Sequence, residues 1–165
     1  MEILHVFWPY ILVFIFAATP FFEAFTVIPL GIFVGLPIVP VFILGITGNV
    51  LTVLLVILFI NKIKEWRRKR SNTDEEKPTS KRALRAQTIW KKYGLPGLAL
   101  IGPLFVGSHL TAFMSISLGG TKRKVAYWMT ASMIIWSITF TILVYYGIDF
   151  LGIENRNLFD NINGN

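Results

Sequence analysis

The stretch "PGLALIGPLFVGSHLTAF", residues 96–113, is apolar enough to enter a membrane, yet it carries Pro96, Pro103, three glycines and His109. A bilayer crossing takes ~20 apolar residues at ~1.5 Å each, and prolines and glycines in its interior remove or weaken helical hydrogen bonds. The flanks decide what such a segment is. Upstream, Asn61–Lys92 holds twelve basic residues against four acids, a net charge of +8; downstream, "TKRK" at 121–124 adds Lys122, Arg123 and Lys124. An excess of Lys and Arg marks cytoplasmic segments, so the chain must enter and leave on the same side. A re-entrant helical hairpin is therefore expected, broken at Gly102, Pro103 and Gly107. Its turn is tolerated at membrane depth only where protein or a water-filled cavity covers the freed backbone groups. The competing reading, one kinked spanning helix, puts the 122–124 cluster on the wrong side.

Outward from this segment, 54% of the 165 residues are hydrophobic and 15% aromatic, and the apolar runs exceed what a soluble core of this length needs. The formal charge of +7 is confined to a few places, which argues against a nucleic-acid partner and for topology signals. There is no cysteine, and His5 and His109 lie too far apart for a zinc motif. No metal or cofactor is expected. The N-terminal run Ile3–Ala18 has Glu2 where a signal peptide has a basic region, so it is read as retained.

The first apolar block, Ile3–Ile60, is too long for one crossing. Breaks at Thr19-Pro20, Pro29, Gly31, Gly35, Pro37 and Pro40 divide it into a helix, a broken segment and a clean span, Val41–Ile60. Val125–Gly147 is a last clean span. The expected fold is an all-α integral membrane protein with three transmembrane helices and two re-entrant helical hairpins in an inverted-repeat arrangement. Residues 1–60 form a first membrane unit, 61–92 a basic cytoplasmic loop whose centre, "SNTDEEKPTSKR", has disorder-prone composition, 93–147 a second membrane unit and 148–165 an acidic extracytoplasmic tail. A short echo, "IPLGIFVG" at 28–35 against "IGPLFVG" at 101–107, falls inside the two broken segments. Opposed broken segments with weak internal likeness are the pattern of a transporter whose site lies between them near the midplane.

Glu23 is the one acid besides Glu2 in the first 60 residues. A carboxylate in an apolar block costs about 2.5–3.5 kcal/mol on insertion scales, which makes it a proton-carrier candidate; the plainer reading is an interfacial acid at a helix N-terminus. His109, just past a hairpin break, is either a proton relay or a histidine satisfied within a packed hairpin. Asn49, after Gly48 in mid-span, is read as a hydrogen-bonding partner of the opposite hairpin. Ser108 and Thr111 are pathway candidates, while Ser115 and Ser117 read as packing residues. No phosphate loop, HExxH or GxSxG is present, and Ser108 and His109, being adjacent on a helix, are expected to point apart. An enzyme is not expected.

"FFEAFTVIPLGIFVGLP" at 21–37, Gly48-Asn49 and "YGLPGLALIGPLFVGSHLTAFMSISLG" at 93–119 resemble the small multi-drug export protein family, which is related in architecture to the DedA superfamily. The likeness covers most of the chain outside the basic loop. In the first motif Glu23, Ile28, Pro29, Leu30 and Gly31 match, but Phe25 stands where the family commonly has Arg, so a Glu–Arg pairing is lost. The resemblance implies export of small compounds; its DedA side implies a proton-coupled carrier or a lipid-phosphate translocase. The expected function is thus a small inner (plasma) membrane transporter, coupled to protons or other ions. It would export small amphipathic compounds through a site between the hairpins, as a homo-oligomer within the lipid bilayer. The alternatives are a DedA-like lipid-phosphate translocase and a non-transporting structural or assembly membrane protein.

Overall fold

A computed structural model describes residues 2–20, 22–70 and 81–150. The disorder-prone loop centre at 71–80 and the tail from 151 lie outside the described residues. All described secondary structure is helical: α1 Glu2–Ala18, α2 Ala24–Phe33, α3 Ile38–Arg70, α4 Lys81–Phe105, α5 Ser108–Ser117 and α6 Lys122–Phe150.

Two helices among the described residues, rather than the expected three, are long and apolar enough to cross a membrane. They are α3 over Ile38–Ile63 and α6 over Lys122–Gly147, 26 residues each. The expected first span falls short because the apolar part of α1 described here is Phe7–Ala18, only ~18 Å of helix. α6 carries a second mark of a crossing. Tyr127 and Trp128 stack edge to face at 5.9 Å near its start, and Tyr145 and Tyr146 do the same at 5.9 Å near its end. The pairs are separated by ~27 Å of helix, close to the ~30 Å of a hydrocarbon core, as aromatic belts at two interfaces would be.

The chain divides into two compact units, residues 1–50 with 133–165, and residues 51–132. In the first, α2 runs back along the first half of α3. A Cβ on Gly31 would meet Val41, one on Gly45 would meet Ile28, and Glu23 bonds Asn49, so residue numbers fall on one strand of the pair as they rise on the other. α1 descends alongside α3: Gly48 abuts the carbonyl of Phe14 and the amide of Ala18. Val13, Ala17, Ala24, Val27, Ile28, Ile32 and Val41 fill the space between. α1 and α2 thus form a helical pair, and the start of α2 at Glu23 lies beside the middle of the apolar stretch Ile38–Ile63 of α3.

In the second unit, α4 breaks at Gly94, whose φ of 66° and ψ of −160° no helix tolerates. The part beyond it pairs antiparallel with α5 across Val106-Gly107, and Gly102 gives Thr111 its place, since a Cβ there would lie 2.5 Å from the threonine side chain. Lys122, at the start of α6, donates from Nζ to the carbonyl of Leu58 at 2.9 Å, near the C-terminal end of the apolar stretch of α3.

The breaks agree in part with those expected. α2 continues through Pro29 and Gly31, α3 through Pro40, and α4 through Gly102 and Pro103, whereas the expected breaks at Thr19-Pro20, Gly35, Pro37 and Gly107 do lie between helices. The prolines cost each helix one backbone bond, whereas a tight reversal is eased by a positive φ, which a glycine supplies. At the end of α2, Gly35 has φ 97° and the amide of Leu36 returns to the carbonyl of Gly31. At the end of α5, Gly119 has φ 108° and the amide of Gly120 returns to the carbonyl of Ser115. Both are Schellman-type caps. Each follows a helix of 10 residues and is followed by a long apolar helix that starts at the same offset, Ile38 in one case and Lys122 in the other. The backbone therefore repeats α2–turn–α3 as α5–turn–α6. That register differs from the sequence echo, which set the α2 segment against the end of α4.

Candidate functional site

α2 begins at Glu23, an N-cap residue in extended conformation whose carbonyl accepts from the amides of Thr26 and Val27. Its side chain does not cap the helix. Instead Glu23 Oε2 accepts a hydrogen bond from Asn49 Nδ2 at 3.1 Å, both side chains being buried, with Glu23 only 6% exposed. Asn49 lies close to the centre of the apolar stretch Ile38–Ile63. Glu23 is thus an acid at a helix N-terminus, and that N-terminus lies beside the middle of the apolar stretch Ile38–Ile63. Asn49 serves as partner to this carboxylate, and neighbouring Gly48 admits the backbone of α1. Phe25 packs against Phe140, with ring centroids 5.3 Å apart.

In the second unit the imidazole of His109 lies between two hydroxyls. Its Nε2 is 3.0 Å from Thr52 Oγ1 and its Nδ1 is 3.3 Å from Ser108 Oγ. The second contact corrects the expectation that adjacent side chains diverge. Ser108 is the first residue of α5, following Gly107 at positive φ, so the spacing of a helix interior does not apply to it. A hydroxyl donates or accepts as required. Either neutral tautomer of His109, and the imidazolium as well, therefore finds complementary partners in this setting. Thr52 was not singled out in the sequence. The available signal was its place three residues after Asn49 on one helix, a spacing that keeps side chains on one face.

Ser108, Thr111 and Ser115 recur at helical spacing on α5 and are all fully buried. Thr111 Oγ1, Ser115 Oγ and Ser117 Oγ have no hydrogen-bond partner, an arrangement that costs about 1–3 kcal/mol per group and leaves hydroxyls available to a polar guest. Among the described residues no group of three or more His, Cys, Asp or Glu side chains is placed to hold a metal ion.

A family model described as "Putative small multi-drug export protein" matches residues 23–139, which include Glu23, Asn49, Thr52 and His109. The chain belongs to this family. No curated protein and no solved structure matches it.

Proposed function

We propose that this chain is a proton-coupled membrane exporter of small amphipathic compounds, in which Glu23 carries the coupling proton and His109 sets the pH dependence of transport. One observation carries the reading: a buried carboxylate, hydrogen-bonded to Asn49 beside the middle of the apolar stretch Ile38–Ile63. Insertion of such a group costs about 2.5–3.5 kcal/mol in its charged form, and gaining a proton relieves that cost, so proton binding is linked to the state of the site. The buried hydroxyls of α5 supply polar contacts for a solute or for the water that accompanies it. Export agrees with the family.

The finer topology belongs to the same proposal. α1–α2 and the second half of α4 with α5 are two re-entrant hairpins, each followed by a spanning helix, α3 or α6. The Lys122–Leu58 bond supports this, because it sets the start of α6 beside the same end of α3 that leads into the basic loop. The natural absence of cysteine gives a clean test. Thr73→Cys and Thr121→Cys should both react with a membrane-impermeant thiol reagent from the cytoplasmic face alone; reaction of the Thr121 site from outside would refute the second hairpin.

The function is tested in liposomes containing the purified chain and a fluorescent lipophilic cation as probe. An imposed pH gradient should drive probe movement above the rate of protein-free vesicles, and collapse of the gradient by an ionophore should abolish the difference. Movement at the same rate with and without the gradient would remove proton coupling from the proposal.

A further inference from the structure

The first half of α4, Lys81–Tyr93, takes no part in the site described above. It carries five basic residues and no acid. Its two faces are sharply different. Ala83 and Ala86 are buried, and Ala86 packs in one cluster with Leu98 and Val106, joined by Ile89, Trp90, Leu110, Met114 and Leu118. The opposite face follows the i, i+3, i+4, i+7 rule and presents Lys81, Leu84, Arg85, Thr88, Lys91 and Lys92, all exposed. Leu84 is half-exposed in the middle of this basic face, and Tyr93 is 52% exposed at its end, with the ammonium of Lys92 5.0 Å from the centre of its ring. At Gly94 the chain turns away into the helical pair with α5.

We propose that this face docks on anionic phospholipid headgroups of the leaflet at the base of the α4–α5 pair. The inference rests on the membrane reading given above. Charge complementarity selects the occupant: a helix with no acid among five cations meets an anionic surface favourably. Leucine and tyrosine at the edge of such a face suit the boundary between headgroup and acyl chain, where long basic side chains lie along apolar surface and keep their charges in the polar layer. A purely water-facing helix gains nothing from exposing Leu84 among them. Lys122, Arg123 and Lys124, also exposed, belong to the same unit and extend the positive charge near the end of the α3 span. The inner face of the helix is committed to Leu98 and Val106, so lipid contact at the outer face would hold the base of the helical pair at the interface.

The test uses the full chain in nanodiscs of equal phosphatidylglycerol and phosphatidylcholine, with native mass spectrometry to count the lipids that stay bound on release. The wild-type chain should retain phosphatidylglycerol in excess, and the excess should shrink as salt rises. Joint replacement Lys81→Gln, Arg85→Gln, Lys91→Gln and Lys92→Gln should lower the excess by about tenfold or more. The charge-keeping set Lys81→Arg, Lys91→Arg and Lys92→Arg should preserve it. Equal retention of both lipids by the wild-type chain, or an undiminished excess in a folded Gln variant, would overturn the proposal. The salt series on the wild-type chain needs no variant to fold. A chain that does not enter nanodiscs at all overturns the membrane reading; one that enters without lipid preference overturns only this inference.

Discussion

Glu23→Gln should reduce pH-gradient-driven probe movement to the rate of protein-free liposomes while leaving the protein folded. The substitution keeps the size of the side chain and its acceptor oxygen, so Asn49 Nδ2 still has a partner at the place where it now finds Glu23 Oε2. What it removes is the proton that the side chain can bind and release. An uncharged amide beside Asn49 also escapes the insertion cost of a carboxylate, so the variant should be at least as stable as the parent. Loss of transport together with unchanged or raised thermal stability therefore separates a coupling role from a structural one. His109→Gln should weaken transport and alter its pH dependence without abolishing it, since Gln retains polar atoms for Thr52 and Ser108 but does not titrate. Full gradient-driven activity in Glu23→Gln would end the proton-carrier assignment.

The second large effect is expected at Gly48. A Cβ there would stand 2.7 Å from the carbonyl oxygen of Phe14 and 3.4 Å from the amide nitrogen of Ala18. The atoms in the way are backbone, and backbone cannot rotate aside as a side-chain tip can. Gly48→Ala should force α1 off α3 at a cost of about 1–3 kcal/mol, and Gly48→Leu should cost more. Gly147 gives the control, because a Cβ there meets nothing within 4 Å. Gly147→Ala should be neutral or slightly stabilising, by up to about 1 kcal/mol from helix propensity. Thermal unfolding in detergent, followed by tryptophan fluorescence, should rank the parent and Gly147→Ala together above Gly48→Ala. A Gly48→Ala protein as stable as its parent would show that the approach of α1 to α3 is not as close as described.

The helices α3 and α6 were legible in the sequence because an unbroken apolar run of spanning length has few other uses. The helical pairs α1–α2 and α4–α5 were legible only in outline. Pro29, Pro103 and Gly102 draw the eye as breaks, yet a helix absorbs a proline at the loss of one bond, and a helical glycine such as Gly102 serves by being small, admitting Thr111. Three reversals fall at Gly35, Gly107 and Gly119, where φ is positive; the first two were among the expected breaks and Gly119 was not, since nothing in a lone glycine tells which of these jobs it does. The likeness of α2–turn–α3 to α5–turn–α6 was hidden for a related reason. Backbone caps and helix lengths recur between α2 and α5, but "AFTVIPLGIF" and "SHLTAFMSIS" share almost no residues, since packing asks only for apolar or small side chains at certain places. Glu23, Asn49 and His109 stood out because polar groups in apolar runs are costly. Thr52 did not, since a threonine in a membrane helix is ordinarily satisfied by its own backbone, as Thr47 is by the carbonyl of Ile43.

The depth of the α1–α2 turn is the central claim, and a nitroxide measures it directly. Phe22, beside Glu23, is 48% exposed, as is Leu51 near the middle of the α3 span, while Val39 near its start is 68% exposed. Labels at Val39 and Leu51 calibrate depth over ~18 Å of one helix. With the full chain in liposomes, the ratio of oxygen to nickel-chelate accessibility for a label at Phe22 should match that of Leu51, the mid-membrane value. A ratio equal to that of Val39 would place Glu23 in the headgroup layer, where a carboxylate is an ordinary interfacial acid and has no proton to carry across.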